Sequence, residues 1–204
     1  MAIILLVRHG QNDLVGKKLA GRLPDVHLNQ HGQAQARQLA ARLAALPVRA
    51  VLASPLERTR ETAEPIARVH DLPVETFPEL LEMDYGTWQG KSLKQLRRRK
   101  LWKEVQEQPD GFRFPEGESF LEAQTRVADG LRSLSEKYRE NDLLVCVTHC
   151  DVIRLAVAYF LGMPLRNFQR LQIDPASVSV LFLTKDKAHF GQINHTTDLP
   201  SFKK

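Results

Sequence analysis

Short continuous apolar runs and longer stretches with a helical repeat alternate along this chain. Runs at residues 3–7, 50–53 and 143–148 contain almost only apolar side chains. A continuous apolar run of this length is typical of a strand that is buried on both faces of a sheet. Two further runs, at residues 178–183 and 190–194, predict a final pair of strands.

The stretches between the apolar runs predict helices. Residues 31–46 place Ala and Leu side chains on one face, Asn29 is a favourable N-cap before them, and Pro47 comes after the last apolar residue. Because strands and helices alternate, we predict an α/β fold, a three-layer α/β/α sandwich with a mainly parallel central sheet. Three further helices are predicted at residues 57–70, 119–139 and 151–161.

The pattern is less regular between residues 73 and 118. This region contains a basic, helix-like stretch at residues 92–105 and a loop with Pro and Gly at residues 109–117. The whole chain has 204 residues, which is enough for one sizeable core. We therefore predict a single domain over residues 1–204, with a smaller helical and loop insertion at about residues 84–118.

Composition narrows the cellular setting and the partners. The formal net charge of +5 favours anionic partners. Two cysteines, Cys146 and Cys150, are too few for a disulfide scaffold and fit a reducing compartment. The apolar N-terminus is shorter than a secretory signal, and no apolar run approaches the ~20 residues of a membrane span. We expect a cytoplasmic protein without a membrane partner.

Basic side chains come directly after three of the predicted strands. Arg8 and His9 come after the first, Arg58 lies just after the second, and His149 comes after the run at residues 143–148. In mainly parallel sheets ligands bind beyond the carboxyl ends of the strands, so these side chains are expected at one edge. A phosphate ester is a dianion with acceptor oxygens only, and the arginine fork of donors matches it. The spacing therefore predicts a phosphate pocket.

Two histidines and one carboxyl group suffice for phosphoryl transfer. A neutral histidine can attack phosphorus, and a second, protonated histidine can stabilise the charge on the phosphoryl oxygens. The leaving oxygen then takes a proton from a carboxyl group with a raised pKa. Glu82 is the candidate because it lies in an apolar and aromatic stretch, with Glu79 and Asp84 as neighbouring alternatives. This route needs no metal and no cofactor.

A family resemblance emerges from six motifs that occur in order. In this combination the chain resembles the histidine phosphatase superfamily, in the branch that also contains the cofactor-dependent phosphoglycerate mutases. The resemblance covers most of the chain and implies a phosphoglycerate mutase-like fold. The motifs are LVRHGQ at residues 6–11, LNQHGQAQA at 28–36, SPLERTRETA at 54–63, LEMDYGTWQG at 81–90, GES at 117–119 and VTH at 147–149.

The resemblance implies a chemical role at five matched positions. His9 would be the nucleophile that becomes phosphorylated. Arg8, Arg58 and His149 would bind the phosphoryl group. Glu82 would be the proton donor and afterwards the base that activates water.

The resemblance also implies further contacts with substrate. Asn12 stands where the family often has Thr or Ser, Val15 where many members have Asn, and Cys150 where glycine is usual. Asn12 can still donate a hydrogen bond to phosphate, whereas Cys150 either leans away or narrows the pocket. These departures concern the fit of the substrate. The expected contacts are Gln11, Asn12, Gly21, Arg22 and Cys150.

The function that the resemblance implies is hydrolysis of a small phosphorylated metabolite, a phosphomonoester. Phosphoglycerate mutase-type phosphoryl transfer is the first alternative, but mutases of the family usually have a longer segment than residues 83–148 between the acid and the second histidine. Residues 112–119 also resemble the phosphatase branch. A non-catalytic phosphate- or polyanion-binding protein is the second alternative, and it is disfavoured because both histidines, both arginines and the glutamate are present.

Three other features have plainer explanations than a separate function. The basic residues 97–100 are typical of a solvated helix face, and no groove-reading motif accompanies them, so we expect no nucleic-acid partner. Cys146 and Cys150 lack a second pair of zinc ligands, and we expect free thiols and no metal. Residues 194–198 either cover the pocket mouth or form a tail. The chain is expected to be a monomer or a homodimer.

Overall fold

One six-stranded sheet organises residues 1–196, the part of the chain that the computed structural model describes. The strand order is β3-β2-β4-β1-β5-β6. The pairs β1–β4, β2–β4 and β2–β3 are parallel, whereas β1–β5 and β5–β6 are antiparallel, so the predicted mainly parallel sheet is confirmed. The strands are β1 (Ala2–Arg8), β2 (Val48–Ala53), β3 (Val74–Thr76), β4 (Leu143–Thr148), β5 (Val178–Leu183) and β6 (Ala188–His195).

The predicted helices end within three residues of their observed bounds. The largest difference is at the end of α1, which stops at Leu43 rather than at residue 46. The stretch at residues 92–105 is divided into α3 and α4, because Arg99 adopts an extended backbone between them. The α-helices are α1 (Gln30–Leu43), α2 (Glu57–Val69), α3 (Leu93–Leu96), α4 (Lys100–Glu107), α5 (Phe120–Lys137) and α6 (Cys150–Phe160).

The two faces of the sheet bury separate hydrophobic clusters. In β1, Ile4 and Leu6 point into a cluster with apolar residues of α5 and α6. Leu5 and Val7 point to the opposite face and pack with apolar residues of α1 and α2. Successive side chains of a strand alternate between faces, so a fully apolar β1 has to be covered on both sides. The three-layer α/β/α prediction is confirmed.

A third cluster, which we call the aromatic cluster, lies outside the two sheet faces. It includes Trp88, Phe112, Phe114, Phe120 and Phe168, and most of its members come from residues 83–123. The ring centroids of successive pairs are 4.8–5.9 Å apart, in tilted or edge-to-face arrangements. The segment predicted as an insertion, at about residues 84–118, therefore contributes many of the side chains of this third cluster. The division of the chain into a domain and an insertion stays a prediction.

Two sequence-based expectations concern the ends of the molecule. No helix within residues 1–196 combines the length and the apolar character that crossing a bilayer requires. Of the polar segment at residues 194–198, Asn194 belongs to β6, where its side-chain amide donates to Asp174 Oδ2 at 2.8 Å. Residues 197–198 of that segment lie outside the described part of the chain.

Candidate active site

The carboxyl ends of β1, β2 and β4 meet at one edge of the sheet. The backbone N–H of His9 donates to Thr148 O at 2.9 Å, and that of Ser54 donates to Val147 O at 3.0 Å. These bonds continue the parallel pairing beyond the strands and bring His9 next to His149. The two imidazole centroids are 5.3 Å apart, with the rings edge to face.

The imidazole of His9 is held in one orientation by its neighbour. Its Nδ1 lies 2.8 Å from the carbonyl oxygen of Gly10, and a carbonyl can only accept, so Nδ1 carries the proton. Burial lowers the pKa of His9 well below its ordinary value, and the charges of Arg58 and Arg8 lower it further. His9 is therefore neutral near pH 7, with the lone pair on Nε2, which is the state required of a nucleophile.

Several buried nitrogen donors of the arginines and of His149 have no acceptor within residues 1–196. They are Arg8 Nε, Arg58 Nε, Arg58 Nη1 and His149 Nδ1. The other hydrogen bonds of the arginines orient them, since Arg58 Nη2 donates to Gly21 O at 2.7 Å and Arg8 Nη1 donates to Ile173 O at 2.6 Å. A buried donor without an acceptor is unfavourable. This cluster of donors suits an anion with many acceptor oxygens, such as a phosphoryl group.

His149 differs from the expected protonated stabiliser. Its ring is fully buried, and burial lowers its pKa well below the ordinary value, with Arg58, His9 and Arg8 acting in the same direction. Its Nε2 lies 2.9 Å from Ser54 Oγ, whose hydroxyl can donate to it. In the neutral ring, Nδ1 then carries the proton and serves as a donor. His149 is therefore suited to hydrogen bonding, and a bound dianion would raise its pKa.

The Glu82 carboxyl group lies beside His149 and lines the same cavity as Arg8, His9 and Arg58. Its Oε1 accepts from Met83 N at 3.0 Å, and its Oε2 lies 4.0 Å from His149 Nδ1. Burial, and after it the charge of Asp151, raises the pKa of Glu82 to about 7, although the Met83 N–H and the nearby arginines oppose the shift. A carboxyl group with this pKa can give and take a proton near neutral pH.

A cavity of 370 Å³ opens beside these groups. Of the predicted site residues, Gln11, Arg22 and His149 do not line it. Gln11 Nε2 donates to Asn12 O at 3.4 Å, and the Arg22 guanidinium binds Glu118. The neighbouring carboxylates of Glu79 and Asp84 do not line it either, which leaves Glu82 as the carboxylate of those three at the cavity. The predicted residues that do line it are Arg8, His9, Asn12, Gly21, Arg58, Glu82 and Cys150.

The departures from the family pattern have local explanations. Asn12 Oδ1 accepts from Leu14 N at 3.0 Å and from Val15 N at 3.1 Å, which leaves its amide NH₂ as the donor of this side chain. Cys150 Sγ donates to Ile173 O at 3.6 Å, and burial raises the pKa of this thiol to about 12. Both cysteines are free thiols, and Cys146 is buried within β4. Cys150 therefore lines the cavity as a protonated thiol near neutral pH.

Sequence reasoning missed a hydrogen-bonded group of three side chains in the cavity lining. Tyr85 OH donates to Asp151 Oδ2 at 2.7 Å, and Arg154 Nη1 donates to Asp151 Oδ1 at 3.0 Å. All three residues line the cavity. Asp151 and Arg154 lie in the first turns of α6, directly after His149, and this acidic–basic pair at i, i+3 was the signal available in the sequence.

Comparisons with known proteins agree with this geometry. Residues 4–196 match the family described as the histidine phosphatase superfamily (branch 1). Phosphoserine phosphatase 1 of Hydrogenobacter thermophilus is 28% identical over 204 residues, which cover 99% of this chain and 96% of that protein. Probable phosphoglycerate mutase GpmB of Proteus mirabilis is 31% identical over 183 residues, covering 88% of this chain and 84% of that protein.

The fold is also similar to that of solved structures. A phosphoserine phosphatase from Entamoeba histolytica in complex with 3-phosphoglyceric acid superposes with a TM-score of 0.86. The two sequences are 24% identical, and the alignment covers 97% of this chain and 98% of the other. The family match over nearly the whole chain supports a phosphatase, and this chain belongs to the histidine phosphatase superfamily.

Proposed function

We propose that this protein hydrolyses a small phosphomonoester through a phosphohistidine intermediate on His9. The observation that carries the proposal is the neutral, buried His9 ring, whose Nδ1 is engaged by Gly10 O and whose Nε2 is left as the nucleophile. The unpaired donors of Arg8, Arg58 and His149 next to it support a phosphoryl-binding role.

In the first half-reaction, His9 Nε2 attacks phosphorus and forms a P–N bond while the P–O bond to the leaving group breaks. The protonated Glu82 carboxyl gives its proton to the departing oxygen, so that an alcohol leaves. Arg8, Arg58 and His149 hold the phosphoryl oxygens and stabilise the charge that develops there. A general acid with a pKa near the working pH is the most effective donor for this step.

In the second half-reaction, the Glu82 carboxylate accepts a proton from water. The water oxygen attacks phosphorus, the P–N bond breaks, and inorganic phosphate leaves. The electron pair of the broken bond returns to His9 Nε2, and Glu82 is again protonated. Both residues finish the cycle in their starting states, so the route uses only groups of this chain.

The substrate class is proposed from the cavity and from the relatives. A cavity of 370 Å³ fits a metabolite of modest size. One relative is named a phosphoserine phosphatase, and a protein of the same fold was solved with 3-phosphoglyceric acid. We therefore propose small phosphorylated metabolites as substrates, with phosphoserine and 3-phosphoglycerate as the first two esters to test.

The test is a panel of phosphate esters assayed with the wild type and with His9→Ala. The wild type should release inorganic phosphate. When its reaction with a substrate labelled in the phosphoryl group is quenched, the protein should carry the label. His9→Ala should show neither, because the atom that forms the P–N bond is gone. Normal turnover by His9→Ala would refute the mechanism, and the absence of hydrolysis of any ester by the wild type would favour a phosphate-binding protein.

Phosphoglycerate mutase activity is the second candidate, since a relative at 31% identity is named a probable phosphoglycerate mutase. A mutase must retain a bisphosphate while the substrate reorients. We expect hydrolysis to exceed transfer, because residues 83–148 form the compact segment typical of the phosphatase branch. A bisphosphoglycerate-primed, coupled mutase assay on the same preparation compares the two rates directly, and a faster mutase rate would reverse the order of the candidates.

A further inference from the structure

Glu118 is the centre of an ion-pair network next to the active site, although it does not line the cavity. Its Oε1 accepts from Arg22 Nη2 at 2.8 Å and from Arg126 Nε at 3.2 Å. Its Oε2 accepts from Arg126 Nη2 at 3.1 Å and from the backbone N–H of Asp84 at 3.1 Å. The carboxylate is half-buried and pairs with two arginines, a bidentate arrangement that fixes geometry as well as charge.

The same two arginines donate hydrogen bonds to the backbone of the loop that contains Glu82. Arg22 Nε donates to Glu82 O at 2.9 Å. Arg126 Nη1 donates to Glu79 O at 2.7 Å and to Leu81 O at 2.9 Å. Three carbonyls within four residues are therefore tied to guanidinium groups whose orientation Glu118 sets.

Backbone contacts hold Glu118 itself in place. Its N–H donates to Asp84 O at 2.9 Å, and the chain around Gly117 packs directly on the chain around Gly86. A Cβ at Gly117 would lie 2.3 Å from Asp84 O, and a Cβ at Gly86 would lie 2.0 Å from Pro115 O. Such an approach is open only to glycine. The segment that carries Glu118 is thus fixed against the loop that carries Glu82.

We propose that Glu118 is a positioning residue for the proton donor, acting through Arg22 and Arg126 on the loop of Glu82. This inference rests on the proposed function, in which Glu82 protonates the leaving oxygen. We call Glu118, Arg22 and Arg126 the clamp. The guanidinium of Arg22, which the family resemblance assigned to substrate, instead bonds to Glu118 and to Glu82 O within it.

The clamp has a kinetic signature that a general loss of stability lacks. An alkyl phosphate needs a proton on its leaving oxygen, whereas p-nitrophenyl phosphate releases a weakly basic phenolate that needs none. A displaced Glu82 therefore slows the alkyl ester selectively. Loosening of the phosphoryl-binding groups would slow both esters alike, since both carry the same phosphoryl group.

The experiment compares kcat/KM for p-nitrophenyl phosphate and for the alkyl phosphate that the wild type hydrolyses fastest. Glu118→Gln should lower kcat/KM by roughly 10- to 100-fold on the alkyl ester and by less than about threefold on p-nitrophenyl phosphate, since small misplacements of a catalytic group cost rates of this order. Glu82→Gln, run in parallel, should show the same selectivity with a larger loss.

Glu122→Gln is the matched control. Glu122 also accepts from an arginine, Arg113, and lies four residues beyond Glu118, but its side chain bonds to Arg113 and Ser119 rather than to the Glu82 loop. This variant should change both esters equally and by less than about threefold, as expected of an exposed ion pair.

The outcomes separate the two proposals. Equal losses on both esters in Glu118→Gln, beside a selective loss in Glu82→Gln, would overturn the role of Glu118 and leave the proposed function intact. The absence of selectivity in Glu82→Gln would overturn the proton-donor assignment itself. If Glu118→Gln fails to fold, Arg22→Met removes the bond to Glu82 O while Arg126 keeps its bonds to Glu118. It must then show the selective loss, and an equal loss on both esters would refute the clamp.

Discussion

Replacing Arg58 by Met should stabilise the unliganded protein while removing its phosphate binding. Arg58 is 1% exposed, and two of its guanidinium nitrogens, Nε and Nη1, have no acceptor among residues 1–196. Each unsatisfied buried donor costs roughly 1–3 kcal/mol, and the lost hydrogen bond to Gly21 O offsets about 1 kcal/mol of the gain. Removing one charge of a buried pair is destabilising when its partner stays charged, but with Glu82 protonated no such charge is left, and we expect a net gain of about 2 kcal/mol in the free energy of unfolding.

Thermal unfolding at pH 6 measures this gain. At that pH most of the Glu82 carboxyl is protonated, because its pKa is about 7 and removal of the Arg58 charge raises it further. For a chain of this size, about 2 kcal/mol corresponds to a rise in Tm of roughly 4–8 °C. Inorganic phosphate at 100 times its Kd should stabilise the wild type by about 2.7 kcal/mol and should stabilise Arg58→Met much less.

Arg60→Met is the control for this prediction. Arg60 lies on the same helix, α2, but its guanidinium is at the surface and donates to Thr76 Oγ1 at 3.1 Å. Its replacement should change the free energy of unfolding by less than about 0.5 kcal/mol and leave the response to phosphate unchanged. A lower Tm for unliganded Arg58→Met, or an undiminished response to phosphate in that variant, would refute the reasoning.

Two further predictions concern the proton donor and the loop packing. Since Glu82 must be protonated to act as the acid, kcat/KM should fall above pH about 7, and this limb should vanish in Glu82→Gln. Asp151→Asn removes a charge that raises the pKa of Glu82, so the limb should move to lower pH; an unmoved limb would contradict the assignment. Gly117→Ala should lower the free energy of unfolding by about 1–3 kcal/mol in denaturant titrations, because its Cβ would collide with Asp84 O. Gly111→Ala meets nothing within 4 Å, and equal effects in the two variants would contradict this explanation.

The sheet and its functional edge were the most predictable parts of the molecule, because local sequence determines them. Fully apolar strands such as β1 and β4 stand out as continuous runs, and because the two strands are parallel, their carboxyl-terminal residues lie at the same edge. The start of the helix after Asn29 was equally predictable, since the Asn29 side chain accepts from Gly32 N as an N-cap should. Strand β3 could not be predicted, because only Val74 of its three residues is apolar.

Long-range polar contacts were beyond the reach of the sequence. Arg22 and Glu118 are 96 positions apart, and no local pattern indicates that they pair. The protonation state of His149 also depends on enclosure by groups from several strands, which lowers its pKa. Local chemistry thus predicted which residues gather at the site, whereas their individual states and partners required the tertiary structure.

The aromatic cluster has a consequence for how such an enzyme can diverge. Phe114 and Phe120 belong to this cluster and also line the cavity, while the strands that present His9 and His149 pack in the two other clusters. Mutations of Phe114 or Phe120 that change the shape of the cavity therefore alter the packing of the aromatic cluster. They leave the packing of the two clusters that hold the strands of His9 and His149 unchanged. Selection for a new substrate can act on Phe114 and Phe120 while the strands that align His9 and His149 keep their packing.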